Sequence, residues 1–499
     1  MPEKLTFEEI QRFADRYTLG YERGEGSYHF LRVSIPNGIV TTDQFRGIAD
    51  LAERYGKGYA EVTTRQDIQI HWIRGEDALD IFSRLEELGF TTDKCGQGYP
   101  GARYGDVRNI VGCPVTGIDK HEVLDVSPFI KEAKAFFTGN REFLDLPRKF
   151  KISITGCAVN CTNPEVQDLG LVAIRRDDGK VGFIAFVGGG TGVPPKFAKP
   201  LGVFIEPGKV LKVIITLVEI FRDYGRRDSK AKARFKWLVE EWGVDKLRKT
   251  LEDKLGERLE RYDHGPLSLS GEEHVGINPQ KQEGLWYINF PLLGGKLTGK
   301  QMLKLADLAE RYGWPEIRLT SFQNLILIGI EGENVKRVLD EARDIGLDFV
   351  NSQVRWSAMA CPGSFCGKAP EDVKGRMEEI VRHIERRFSS TLKDLKIRIF
   401  VSGCPNACSR HPIADIGLQA VQIRKEDGVK AGYNLLVGGG LGLKPSFARL
   451  IKRGVDGDEV KLVIERLIFA YLRGREDGEG FKEFCDRCTD EQLRSFIGV

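Results

Sequence analysis

No stretch of this 499-residue chain has the run of apolar residues needed to cross a bilayer; the longest candidate, Leu211 to Phe221, is broken by Lys212 and Glu219. An excess of one charge is missing too. Lys and Arg total 75 against 72 Asp and Glu, a formal net charge of +3, so no electrostatic footprint for nucleic acid is evident. The amino terminus, Met1 to Ile10, is charged and lacks an apolar core, and no signal peptide is expected. No Gly-Lys-Ser/Thr follows a glycine-rich loop. No glycine run has the strand, helix and acidic residue of a dinucleotide site, which argues against a resident nucleotide, flavin or nicotinamide. Neither a nucleic-acid partner nor a membrane is expected.

What is present fits a soluble globular protein: 41% hydrophobic and 29% charged residues, over a length suited to three or four domains. Ten cysteines without an export signal imply a reducing, cytoplasmic setting, where metal or redox use outranks a disulfide framework. Four of them form two pairs. Cys404 and Cys408 lie in Val401 to Pro412, just after the apolar run Ile397 to Val401, so both thiols leave a strand end on a tight turn. Cys361 and Cys366 lie upstream. Two turns carrying four thiolates suit a cubane iron–sulfur cluster, in which each corner iron takes one soft sulfur. A structural zinc also prefers four thiolates, and spacing leaves the metal open.

The chain also repeats itself. Leu-Ala-Glu-Arg-Tyr-Gly occurs at 51–56 and at 308–313, and Thr63 to Ile70 is matched by Thr320 to Leu327, with Gln66 aligned to Gln323. Gly-Cys-Ala-Val-Asn-Cys at 156–161 pairs with Gly-Cys-Pro-Asn-Ala-Cys at 403–408. Val-Gly-Gly-Gly-Thr-Gly at 187–192 pairs with Val-Gly-Gly-Gly-Leu-Gly at 437–442. Four blocks in one order at nearly one spacing indicate a duplication, with two halves packed about a pseudo-two-fold axis and a site between them. The periodicities predict a strand over Tyr28 to Ser34, a helix over Thr42 to Tyr55 and strand-rich chain over Tyr59 to Ile73. The segment Phe221 to Asp263 reads as exposed charged helices leading to a linker near His264 to Ser270.

These residues resemble the siroheme-dependent nitrite and sulfite reductases of the ferredoxin type. The resemblance spans nearly the whole chain: the repeat, residues 30–38, Thr-Thr-Arg-Gln at 63–66, Gly-Asp-Val-Arg-Asn at 105–109, Leu-Pro-Arg-Lys-Phe-Lys at 146–151, Pro-Gln-Lys-Gln-Glu-Gly at 279–284, and the four carboxy-terminal cysteines. It implies an α+β fold, internally duplicated, with two ferredoxin-like half-domains (1–85 and 271–350) and two siroheme/[4Fe-4S]-type α/β domains (86–263 and 351–499). It further implies that Cys361, Cys366, Cys404 and Cys408 bind a [4Fe-4S] cluster and that Cys408 also bridges to the iron of a siroheme. The first pair departs from the family's usual spacing, with four intervening residues in place of five.

Siroheme carries eight carboxylates, and burying them requires cations and backbone donors. By resemblance, Arg65, Gln69, Gln323 and Asn324 meet the macrocycle, and Gly438, Gly439 and Gly440 let backbone approach the ring. Substrate binding falls to Arg32, Arg108, Lys149 and Lys151, four cations suited to attract a small oxyanion and to lie near departing oxygens. The expected reaction is six-electron reduction, of nitrite to ammonia in preference to sulfite to sulfide. More of the chain looks like the nitrite enzymes, whereas Lys151 looks like the sulfite enzymes and better suits a dianion. The expected donor is a reduced ferredoxin or a separate flavoprotein subunit. A non-catalytic zinc-stabilised scaffold and a corrin-pathway oxygenase-like relative are the competing classes.

The remaining cysteines fit less neatly. Cys113, Cys157 and Cys161 occupy three of the four equivalent positions in the first half, with Cys95 nearby, and read either as a relic with free thiols or as a second metal centre. Cys485 and Cys488 read as a redox pair, a zinc half-site or two plain thiols.

Overall fold

The computed structural model describes residues 20–21, 28–90, 105–143, 145–157, 159–265, 267, 274–347, 352–426 and 428–498. Among the described residues two antiparallel sheets and two mixed ones, each flanked by helices, alternate along the chain. The strand read over Tyr28 to Ser34 runs Tyr28–Val33, and the helix runs Thr42–Tyr55 as read from its periodicity. The strand-rich stretch is two strands, Tyr59–Val62 and Ile68–Arg74, around a turn in which Thr63 donates its backbone N–H to Asp67. Cys95 and most of the linker expected near His264 to Ser270 lie outside the described residues.

The two half-domain sheets are not separate. Each takes one short strand from the other half: Lys296–Thr298 pairs with Tyr59–Val62, and Ile39–Thr41 pairs with Glu316–Leu319. The registers are equivalent under the repeat, Leu297 opposite Ala60 and Val40 opposite Ile317. This reciprocal exchange is the pseudo-two-fold axis made visible. Helices Thr42–Tyr55 and Gly299–Tyr312 follow the exchanged strands, each opened by a complete capping box, Thr41 with Gln44 and Thr298 with Gln301. Arg46 links them, reaching Asp307 at 2.5 Å and Glu310 at 2.7 Å. One continuous apolar core, from Leu31 to Leu347, crosses both halves.

The exchanged strands are entered by tight turns that only glycine fits. Gly38 and Gly295 have φ of +68° and +73°, and a Cβ on either would stand 2.5 Å and 2.3 Å from the carbonyl oxygens of Leu319 and Val62 in the opposite half. Gln66 and Gln323 lock the same junction from left-handed backbone, φ +61° and +65°. Gln66 donates to the carbonyls of Gly112 and Leu319 (3.0 and 2.9 Å) and accepts from the Gly112 N–H. Gln323 donates to the Val62 carbonyl and accepts from the Ala360 N–H. Each amide thereby ties its own half-domain to the other and to the start of the sheet that follows.

Those later sheets carry the cysteine turns. One runs Val111–Gly112, Ile152–Thr155, Leu169–Arg175, Val181–Val187, Lys199–Ile205, Glu260–Arg261, and the other Met359–Ala360, Ile399–Ser402, Ile416–Lys425, Gly428–Val437, Arg449–Asp456. Leu211 to Phe221, the longest apolar stretch, lies in the helix Val210–Tyr224 packed in the first of these cores. No helix among the described residues is long and apolar enough to cross a membrane. Phe235–Leu255 is a helix interrupted at Gly243, and it buries Phe235, Leu238, Val239, Leu247 and Leu251 rather than standing free as its charge content suggests. Its apolar residues are spaced at helical intervals, and that face outweighs the charged one.

Truncating Gln66 strands three buried backbone groups, each costing about 1–3 kcal/mol when left without a partner. Gln66→Ala is therefore expected to lower the unfolding free energy by at least about 3 kcal/mol, read by denaturant titration. Stability within error of the unsubstituted chain would show that these bonds do not hold the halves together.

Candidate active site

The two carboxy-terminal cysteine turns are held by local geometry. Ile399–Ser402 delivers Cys404, and the loop returns through Ala407 and Arg410 in left-handed backbone (φ +52° and +64°). The Ser402 and Ser409 hydroxyls close its neck at 2.6 Å, and Arg410 donates to the Ser321 carbonyl at 2.6 Å in the second half-domain. Met359–Ala360 runs parallel to Ile399–Ser402 and places Cys361 alongside, its Sγ accepting from the Gly403 N–H at 3.1 Å. Cys366 follows on a turn and donates to the Gly363 carbonyl. Burial pushes the Cys361 thiol up to about 12, so it stays protonated unless a metal takes the sulfur.

All four cysteines line one cavity of about 470 Å³ between the halves. The opposite wall comes from the first half. Arg32, Arg65, Gln69, Arg108, Lys149 and Lys151 line it, joined by Gln323 from the second half. Seven basic side chains, counting Lys368 and Lys374, face two carboxylates, Glu61 and Asp67.

Those carboxylates already have partners in the wall. Burial raises Glu61, but Lys374 at 2.6 Å and His71 at 3.1 Å outweigh it and hold the carboxyl down at about 2. Burial pushes Asp67 up to about 6 despite Arg32 and the Ile35 N–H. The lysines are in the opposite position. Burial lowers Lys149 to about 8 and Lys151 far below its ordinary value, and neighbouring cations add to both. The wall thus holds cationic groups at a cost that an incoming anion relieves.

Individual positions differ in what they do. Arg32 donates to Gln69 Oε1 at 3.2 Å, which continues a polar row through His71 to Glu61. Arg65 spends its terminal nitrogens on the carbonyls of Asn109 and Ile152 and on Gln167, while its buried Nε has no hydrogen-bond partner among the described residues. Burial brings it down to about 10. Arg108 lies 3.4 Å from Asp106.

Two expectations do not reach the cavity. Asn324 is buried, accepting from the Leu292 N–H and donating to the Trp356 carbonyl, so it braces the turn rather than lining the wall. Gly438, Gly439 and Gly440 back onto Cys485, the carbonyls of Pro412 and Ala414, and Lys482. The reason is that the three glycines pack within their own half, and only the residues just after each glycine triplet reach the other half. Thr191 donates to the Ala407 carbonyl and Gly192 lies against Asn406, whereas Gly442 donates to Glu165 in the first half. Lys368 and Lys374 line the cavity but were missed. Lys368 stands two residues after Cys366 and was legible as part of that turn; Lys374 is set by the start of the helix Val373–Arg387, which nothing local connects with Glu61.

A cationic cleft lined by four thiols between duplicated halves defines a redox enzyme built to bury a polyanionic group beside an iron–sulfur cluster. The family described as the nitrite and sulphite reductase 4Fe-4S domain matches residues 104–259 and 352–498, and the nitrite/sulfite reductase ferredoxin-like half domain matches 21–88 and 278–345. The chain belongs to the siroheme-dependent nitrite/sulfite reductase family, an oxidoreductase family using siroheme and [4Fe-4S]. It is 33% identical over 492 residues to the assimilatory ferredoxin-dependent nitrite reductase of Haloferax mediterranei, covering 93% of this chain and 82% of that one. It is 32% identical over 479 residues to sulfite reductase [ferredoxin] 1 of Mycolicibacterium paratuberculosis, covering 94% and 84%. The solved structure of the Mycobacterium tuberculosis NirA protein superposes with a TM-score of 0.91 at 28% identity, covering 98% of this chain and 92% of that one.

Next to the cysteine turn, His411 is buried, its Nδ1 has no partner among the described residues, and burial lowers it to about 4. The fold favours its neutral form, so its contribution is complete above about pH 6.5 and is lost as pH falls from there toward 4, by at most about 3 kcal/mol. His411→Gln is expected to lose less stability than the unsubstituted chain between pH 7 and pH 4.5. Equal losses in paired denaturant titrations would refute the assignment.

Proposed function

We propose that this chain catalyses the six-electron reduction of nitrite to ammonia, with Cys361, Cys366, Cys404 and Cys408 holding the cluster and Cys408 also reaching the siroheme iron. One observation carries the reading: the four thiols and the cations Arg32, Arg108, Lys149 and Lys151 line a single cavity. Four thiolates are the donor set of a cubane, and an excess of five bases over acids on the wall suits a macrocycle with eight carboxylates. Arg65, Gln69 and Gln323 are the wall residues assigned to the macrocycle. When bound, the siroheme supplies an iron that passes cluster electrons to the substrate.

The chain's own residues do the rest. Arg32 and Arg108 attract and orient a small oxyanion by charge and by planar donor geometry. Lys149, lowered to about 8 by burial, keeps a proton that it can give to an oxygen leaving as water, while Lys151, whose charged form burial disfavours, is drawn to its ammonium form by the anion's negative charge. Delivery of single electrons calls for a small one-electron protein, and a ferredoxin is the donor we assign. The ferredoxin-dependent names of the relatives support it.

A second reading, sulfite to sulfide, is favoured by one residue. Lys151 places a second buried amine in the cavity with Lys149, and a dianion offsets the cost of charging both where a monoanion offsets that of one. Turnover of both substrates should be compared with one chemical electron donor, in the native chain and in Lys151→Asn. The native chain is expected to prefer nitrite, and Lys151→Asn to raise the nitrite-to-sulfite ratio about tenfold, the equivalent of about 1.4 kcal/mol. An unchanged ratio would remove Lys151 as a discriminator, and a native preference for sulfite would select the second reading.

A further inference from the structure

The cysteines of the first half do not lie idle in the fold. Cys113 follows Val111–Gly112, Cys157 follows Ile152–Thr155, and Cys161 lies in the turn beyond, as their counterparts do around the cavity. The position equivalent to Cys366 is Ile118, so the fourth ligand is lost within this half. A fourth donor arrives from elsewhere. His274, in the strand-entry segment of the second half-domain, points Nε2 at Cys113 Sγ and at Cys157 Sγ, 3.4 Å from each.

We propose that Cys113, Cys157, Cys161 and His274 form a structural site for a single zinc ion that ties the two halves together. The four donor atoms all lie within 4.8 Å of one another, and all four residues are buried. The edges are 3.4 Å for Cys113–Cys157, 3.9 Å for Cys157–Cys161, and 3.4 Å from His274 Nε2 to each of Cys113 and Cys157. A tetrahedral zinc with Zn–S near 2.3 Å and Zn–N near 2.0 Å has sulfur–sulfur edges of about 3.8 Å and sulfur–nitrogen edges of about 3.5 Å. The edges match one ion. They do not match a cubane, in which each thiolate takes a different corner iron and the sulfurs splay well beyond 4.8 Å.

The surroundings agree with a closed structural site rather than a second catalytic one. Asp119 Oδ2 stands 3.8 Å from His274 Nδ1, on the side away from the thiols, where a carboxylate orients a metal-binding imidazole. Asn289 donates to the His274 carbonyl at 3.1 Å and fixes its backbone, and Ser321 donates to that of Cys161 at 2.6 Å. The wall itself is apolar. Tyr287, Ile326 and Ile328 pack around the thiols at the positions that Phe30, Gln69 and His71 hold in the other half. Without the basic wall there is nothing to offset a polyanionic macrocycle, while four protein donors complete a tetrahedron and leave no open position.

The test is elemental analysis and zinc-edge X-ray absorption on untagged holoenzyme, washed with a chelator to strip surface ions. One zinc per chain in a shell of three sulfurs and one nitrogen near 2.3 and 2.0 Å, beside about five irons, is the expected result. His274→Ala is expected to release the zinc, with the siroheme and cluster absorbance kept and the melting temperature lowered. If that variant fails to fold, the metal count and absorption edge of the native chain decide alone. Zinc below about 0.2 per chain, a zinc shell of oxygens and nitrogens, or additional iron in place of zinc would overturn the proposal. Because siroheme and cluster are read from their own absorbance, this failure is distinguishable from failure of the catalytic reading.

Discussion

The structure depends on the exchange of one three-residue strand in each direction between its halves. Ile39–Thr41 and Lys296–Thr298 each complete the sheet of the opposite half, so neither half-domain closes its own edge. Their entry turns press glycine against a foreign carbonyl, and the two glutamines clamp the result. Because the exchange fixes where the strand ends of both halves emerge, it also fixes where every cysteine turn can go. The site between the halves is a consequence of how the sheets are joined.

The same symmetry creates two sites, and side-chain chemistry then makes them different. On one, Arg32, Arg65, Gln69 and His71 stand where the other has Asn289, Phe322, Ile326 and Ile328. Cations and amides on the first wall make a cleft that calls for an anion. Isoleucines on the second make a dry shell around three thiols and an imidazole. Duplication supplied two copies of one scaffold, and a handful of substitutions at fixed backbone positions assigned a reaction to one and leaves the other suited to holding the chain together.

Charge in the cleft is arranged to be unsatisfied where anions belong. Glu61 is held ionised by Lys374 and His71 and is spent on them, whereas Lys149 and Lys151 are buried among other cations. A dry, positively biased wall is unfavourable by itself and becomes favourable on binding, which is the condition for drawing a carboxylated cofactor and a small oxyanion out of water. The rest of the fold, with its large apolar cores, supports that local cost.

The sequence by itself determined the duplication, the main strands and helices, the paired thiols and most of the cationic wall, since period-two and period-3.6 patterns, capping residues and repeated blocks are local properties of the chain. It did not determine the partner of a strand edge or of a loop. Asn324 aligns with a plausible amide position but is consumed by the Leu292 and Trp356 backbone, and Gly438 to Gly440 pack against Cys485, Pro412, Ala414 and Lys482 of their own half. His274 and Lys374 carry no motif, and each acquires its meaning from a contact with residues more than 100 positions away. Ligand geometry and ion pairing are set by distances across an interface, and only the folding of one half onto the other creates those distances.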